Sequence, residues 1–120
     1  MKNLAPEITR QRLLLEGFYA VDMSREVLKR YLIELAGHLE LRAYGEPVIF
    51  APAAGMGKEQ NQGFDAFIPL MDSGISAYIW SKSRFFSIVI YTCKTFDEKS
   101  AVDFTRKTLA VAGEIAEMAF

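Results

Sequence analysis

The sequence predicts an α/β domain of the α+β kind: a two-layer sandwich in which a mostly antiparallel sheet carries two helices on one face. Three observations predict it. Apolar runs of strand length recur along the chain, two segments place apolar residues at helical spacing, and the last three strand candidates follow one another across very short connections. At 120 residues the chain fits one domain. Its 51% apolar and 12% aromatic content is enough to fill one core, which argues against a disordered chain.

The first strand candidate is Arg12 to Val21 (RLLLEGFYAV), and Asp22 or Ser24 after it is suited to cap a helix. From Ser24 to about Leu39 the residues Val27, Leu28, Tyr31, Leu32 and Leu35 form a stripe, with Arg25, Glu26, Lys29, Arg30 and Glu34 on the polar side. Glu46 to Pro52 contains a short strand (PVIF), and Ala53 to Gly63 reads as an exposed loop. Strands over Phe64 to Met71, Gly74 to Trp80 and Arg84 to Thr92 are joined by Asp72-Ser73-Gly74 and Ser81-Lys82-Ser83, an antiparallel meander. Asp97 caps a final helix expected to run to about Met118, with Ala101, Val102, Thr105, Leu109, Ala112, Ile115 and Ala119 as its apolar stripe. Helices on one face leave the other face of the sheet aromatic, and a homodimer packed sheet against sheet is one way to cover it.

Fourteen basic and fifteen acidic residues nearly cancel, so the charge balance favours neither nucleic acid nor an anionic membrane as partner. The opening residues lack an apolar signal region and no run approaches a membrane span, which places the expected location in the cytoplasm. One cysteine and one histidine supply no zinc-site cluster, so no metal is expected. Gly55-Met56-Gly57-Lys58 looks like a phosphate loop but fails its spacing, since Pro52 and Glu59 stand where a glycine and a Ser/Thr are needed. His38 ends the first helix, where a cation suits the helix dipole better than a base without a companion nucleophile. Tyr78 and Trp80 share one face of their strand, and aromatic residues there are usually core or interface. Cys93, read alone, is a packed thiol.

Taken together, Asp72-Ser73-Gly74-Ile75-Ser76, Trp80 and Tyr91-Thr92-Cys93, with Phe18-Tyr19, Asp22 and Gly63 at matching places, resemble the prokaryotic S-adenosylmethionine decarboxylase proenzymes. The resemblance implies that family's fold and a self-cleaving chain. Ser73 would attack the carbonyl of Asp72, and the resulting ester would eliminate and hydrolyse to leave a pyruvoyl cofactor at position 73. It implies a small amino-acid-type substrate in polyamine (spermidine) biosynthesis, with Cys93 as proton donor. Five positions depart from the family pattern. Tyr78 stands for a histidine and Asp65 for a serine, both used in processing. Asp72 replaces the glutamate before the cleaved bond, and Ser81-Lys82 replaces a Pro-Glu pair whose glutamate grips substrate hydroxyls. Trp80 and Lys82 are thus the expected substrate-side residues. These departures keep open a second expectation, an uncleaved homologue that binds a ligand or regulates a partner.

Overall fold

In the computed structural model, residues 1–51 and 62–120 are described. The elements run β1 (Gln11–Phe18), α1 (Arg25–His38), β2 (Val48–Phe50), β3 (Gly63–Leu70), β4 (Ser73–Trp80), β5 (Phe85–Thr92), α2 (Glu98–Thr108) and β6 (Ala116–Ala119). They form one antiparallel sheet of order β2-β3-β4-β5-β1-β6 with both helices on one face, the fold class expected. The Gly55-Met56-Gly57-Lys58 stretch and most of the loop expected over Ala53 to Gly63 lie outside the described residues.

Period-two alternation sorts each strand. Leu13 and Leu15, Ala66 and Ile68, Ile75, Ala77 and Ile79, and Phe86, Ile88 and Ile90 are buried beneath the helices. Helix α1 contributes Leu28, Tyr31, Leu32 and Leu35 to that core, and α2 contributes Ala101 and Thr105. The Ser24 hydroxyl accepts from the Val27 amide at 3.1 Å, and the Asp97 carboxylate accepts from the Ser100 amide at 3.2 Å, so both helices start at side-chain caps. The buried Tyr31 hydroxyl meets Thr105 Oγ1 at 2.7 Å, joining the two helices through a satisfied polar pair. Burial disfavours the phenolate and pushes the Tyr31 pKa upward.

The helix expected from Asp97 to about Met118 ends instead at Thr108, and β6 follows it. Ala110 takes a left-handed φ of 53°, its amide donates to Lys107 O, and the Val111 amide donates to Arg106 O at 2.9 Å. This paired closure of a helix end normally announces itself by a glycine at the left-handed position. Here the position holds alanine, so the sequence carries no stop signal. The Arg106 guanidinium also donates to the carbonyls of Val111 and Gly113, holding the turn, while Val111 and Ile115 go into the core. Helix α1 ends in the same way at Glu40, φ 60°, with the Leu41 amide donating to Ala36 O at 2.8 Å.

The left-handed turn makes Ala110→Gly a test of sign. In a continuing helix the change would destabilise by about 1 kcal/mol. At this turn it should stabilise by about 0.5 to 1 kcal/mol, measured by denaturant unfolding.

Candidate functional site

The β3–β4 connection is two residues, Met71 and Asp72, and neither has a positive φ. The tight two-residue hairpin turns need such angles to match strand twist. The distortion falls on the next residue, so Ser73 is the first residue of β4, inside the strand the sequence placed from Gly74, with φ 124°. Side chains rarely adopt that angle, and holding it costs about 1 to 3 kcal/mol. Two contacts from the end of β5 hold the turn. The Cys93 amide donates to the Asp72 carbonyl at 2.8 Å, and Cys93 Sγ lies 3.4 Å from Ser73 Oγ. Cys93 is exposed, unlike the packed thiol its position suggests when read alone. Asp72 Oδ2 is buried beside this turn and has no hydrogen-bond partner among the described residues. Gly74 leaves room for the Phe67 ring, which would stand 2.4 Å from a Cβ at this position.

A cleft of about 410 Å³ opens at the same end of the sheet, lined by His38, Glu40, Lys94, Asp97 and Ser100 among others. Lys94 directly follows Cys93, and its ammonium donates to Glu40 O at 2.8 Å. His38 stacks on Phe104 with ring centres 4.8 Å apart. One cation, Lys94, and two carboxylate residues, Glu40 and Asp97, thus line one cleft, and Asp72, Ser73 and Cys93 are not among its lining residues.

The other expected site residues lie elsewhere. Asp65 and Tyr78 are directly paired across β3 and β4, on the sheet face away from the helices. Tyr78 is five residues along β4 from Ser73, about 16 Å at strand spacing. Trp80 ends the same strand about 23 Å from Ser73. It packs on Phe85, which in turn packs on Phe18, each pair with ring centres 5.3 Å apart. Lys82 is exposed in the β4–β5 turn beyond it. Within one chain, then, Asp72, Ser73 and Cys93 come together, whereas Asp65, Tyr78, Trp80 and Lys82 stand apart from them.

Two features were missed in the sequence. Arg84, at a left-handed φ of 56°, lies over the Tyr19 ring and donates to the carbonyls of Tyr19, Ala20 and Val21, tying the β4–β5 turn to the segment before α1. No motif marks such a clamp, because its acceptors are backbone atoms. The amide of Cys93 on the Asp72 carbonyl is equally silent, since it depends on the register between β4 and β5.

No protein-family model matches the chain, and a search of curated proteins also gave no match. Among solved structures, the adenosylmethionine decarboxylase from Aquifex aeolicus VF5 is similar, with a TM-score of 0.70 and 18% identity, covering 94% of this chain and 89% of that one. The likeness is one of fold: both have the S-adenosylmethionine decarboxylase-like α+β arrangement.

If the strain sits at Ser73, Ser73→Gly should be more stable than Ser73→Ala by about 1 kcal/mol, because only glycine takes the angle freely. Equal unfolding midpoints for the two variants would place the strain elsewhere.

Proposed function

We propose that the chain is a self-cleaving, pyruvoyl-dependent decarboxylase of S-adenosylmethionine or a related amino acid, serving polyamine biosynthesis as a homodimer. One observation carries the reading. The bond that the family resemblance marks for cleavage, Asp72–Ser73, precedes a strained serine, and its carbonyl already accepts a backbone amide.

Ser73 Oγ attacks the Asp72 carbonyl carbon, the C–N bond breaks, and an ester forms between the Asp72 acyl group and the Ser73 oxygen while the amine of residue 73 becomes free. The Cys93 amide, 2.8 Å from the Asp72 oxygen, stabilises the negative charge that gathers there during attack. Breaking the peptide bond also releases the constraint on the Ser73 φ. Loss of the Ser73 α-proton then expels the Asp72 carboxylate, and water replaces the amine as ammonia, leaving a carbonyl at position 73. No outside oxidant or reductant enters this sequence.

A pyruvoyl group there supplies an electrophilic carbonyl for a substrate amine and a sink for the electrons left when carbon dioxide departs. The surroundings fit such a group: an accessible thiol lies beside position 73. Cys93 is the proton donor to the substrate's α-carbon. In the adjoining cleft Lys94 would meet a substrate carboxylate, and Glu40 and Asp97 its ammonium group, which supports an amino-acid-type substrate. Lys82 in place of the family's glutamate favours a substrate whose distal part is not gripped through sugar hydroxyls.

The separation of Tyr78 and Asp65 from Ser73 favours a second reading, an uncleaved homologue that binds a ligand or regulates a partner. Intact-mass measurement during incubation separates the two. The decarboxylase reading expects chains of residues 1–72 and 73–120, the second without a free amine, and none from Ser73→Ala. A single unmodified chain after prolonged incubation would overturn it. Cys93→Ala keeps the backbone donor, so cleavage should continue while turnover drops roughly 100-fold, read by carbon dioxide release.

A further inference from the structure

Beneath the helices, β5 presents Phe86, Ile88, Ile90 and Thr92 in one period-two row, and all four are fully buried. Valine would fill the last position as well as threonine does, because the two side chains share a shape and both suit strands. A hydroxyl taken out of water is unfavourable unless it is bonded. Thr92 Oγ1 meets that need by donating to the Lys94 carbonyl at 2.5 Å. The hydroxyl therefore serves the chain that leaves the strand, while the methyl serves the core.

This hydrogen bond closes a small ring, and Cys93 is the residue enclosed by it. The peptide group between Thr92 and Cys93 belongs to the ring, and it carries the amide that donates to the Asp72 carbonyl at 2.8 Å. Register sets Thr92 opposite Ser73, so the ring lies directly across from the position read as the cleavage site. Cys93, Lys94 and Thr95 are exposed, and core packing does not hold them. The far end of the segment is anchored separately. The Gln11 side-chain amide donates to the Phe96 carbonyl and accepts from the Phe96 amide, each at 2.9 Å, and the Lys94 ammonium donates to the Glu40 carbonyl at 2.8 Å. Removing the Thr92 hydroxyl would leave those anchors in place and free the near end alone.

We propose that Thr92 is a positioning residue for self-cleavage: its hydroxyl, bonded to the Lys94 carbonyl, fixes the peptide plane whose N–H stabilises the charge gathering on the Asp72 oxygen. The proposal rests on the decarboxylase reading and adds to it a side chain that touches no reacting atom. A donor stabilises developing charge most when it already points to where that charge will gather, since one that must swing into line loses part of the gain to reorganisation. The Cys93 amide lies just past the end of β5, and strand ends open locally more readily than strand centres. A side chain that closes a ring around Cys93 removes that freedom from within the segment itself. Valine keeps the shape of threonine without the hydroxyl and serine keeps the hydroxyl without the methyl, so the two substitutions separate the bond from the packing.

The test follows cleavage of the full chain by intact mass, corrected for the folded fraction, in the wild type, Thr92→Val and Thr92→Ser. Thr92→Val should slow cleavage by about 10-fold, a part of the roughly 100- to 1,000-fold that loss of an oxyanion donor costs. Thr92→Ser should stay within about threefold of the wild type, since the bond survives. Thr105→Val, which removes the buried hydroxyl bonded to Tyr31, should lower the unfolding midpoint without slowing cleavage of folded molecules. A second readout needs no cleavage. In the uncleavable Ser73→Ala chain, adding Thr92→Val should speed hydrogen exchange of the Cys93 amide by about 10-fold, whereas adding Thr92→Ser should leave it unchanged. Unchanged exchange in the Thr92→Val chain, unchanged cleavage by Thr92→Val, or equal slowing by Thr105→Val would each overturn the proposal. A wild type that never cleaves would instead sink the decarboxylase reading, and exchange at Cys93 would still decide whether the Thr92 hydroxyl holds the peptide plane.

Discussion

The hydrogen bond from the Cys93 amide to the Asp72 carbonyl is the constraint around which the candidate site is organised. It closes the end of β5 over the β3–β4 turn, fixing the turn against a strand whose own register is set by the buried Ile75, Ala77, Ile88 and Ile90. With both ends fixed and only two residues to reverse direction, the backbone must depart from ordinary angles, and it does so at Ser73. The strained serine, the neighbouring thiol and the polarised carbonyl are thus consequences of one packing problem.

The same sheet explains why the Ser73 turn and the apolar sheet face lie on different parts of the molecule. Both helices cover one face, and the core they form consumes the alternating aliphatic residues. The opposite face keeps most of the aromatic ones, interrupted by Gly74 and Ser76 on β4 and by Ser87 on β5. The Ser73 turn lies at the strand ends, where backbone groups are no longer consumed by the ladder and a cleft reaches the surface beside Lys94. Distance along β4 keeps Tyr78 and Trp80 out of that corner.

Local periodicity made the strands, the first helix and the start of the second legible, since burial on one face imposes a spacing that any window of the sequence displays. The caps at Ser24 and Asp97 were legible for the same reason: each acts on amides three residues away. The end of α2 was not. Ala110 has high helical propensity, and its left-handed angle is imposed by Val111 and Ile115 entering the core and by Arg106 bonding the returning chain. Tertiary burial outweighed a preference worth about 1 kcal/mol.

By itself the sequence determined the fold class and the aromatic excess of one sheet face, because these rest on residue type and short spacing, while the candidacy of Asp72, Ser73 and Cys93 came from the family resemblance. Only the tertiary structure decided which candidates meet. Ser73 and Cys93 are twenty residues apart, and their contact exists because antiparallel pairing sets Ser73 opposite Thr92. Asp65 and Tyr78 were brought to each other and away from Ser73 by the same pairing rule, since register in a sheet, unlike spacing in a chain, is a property of two strands together.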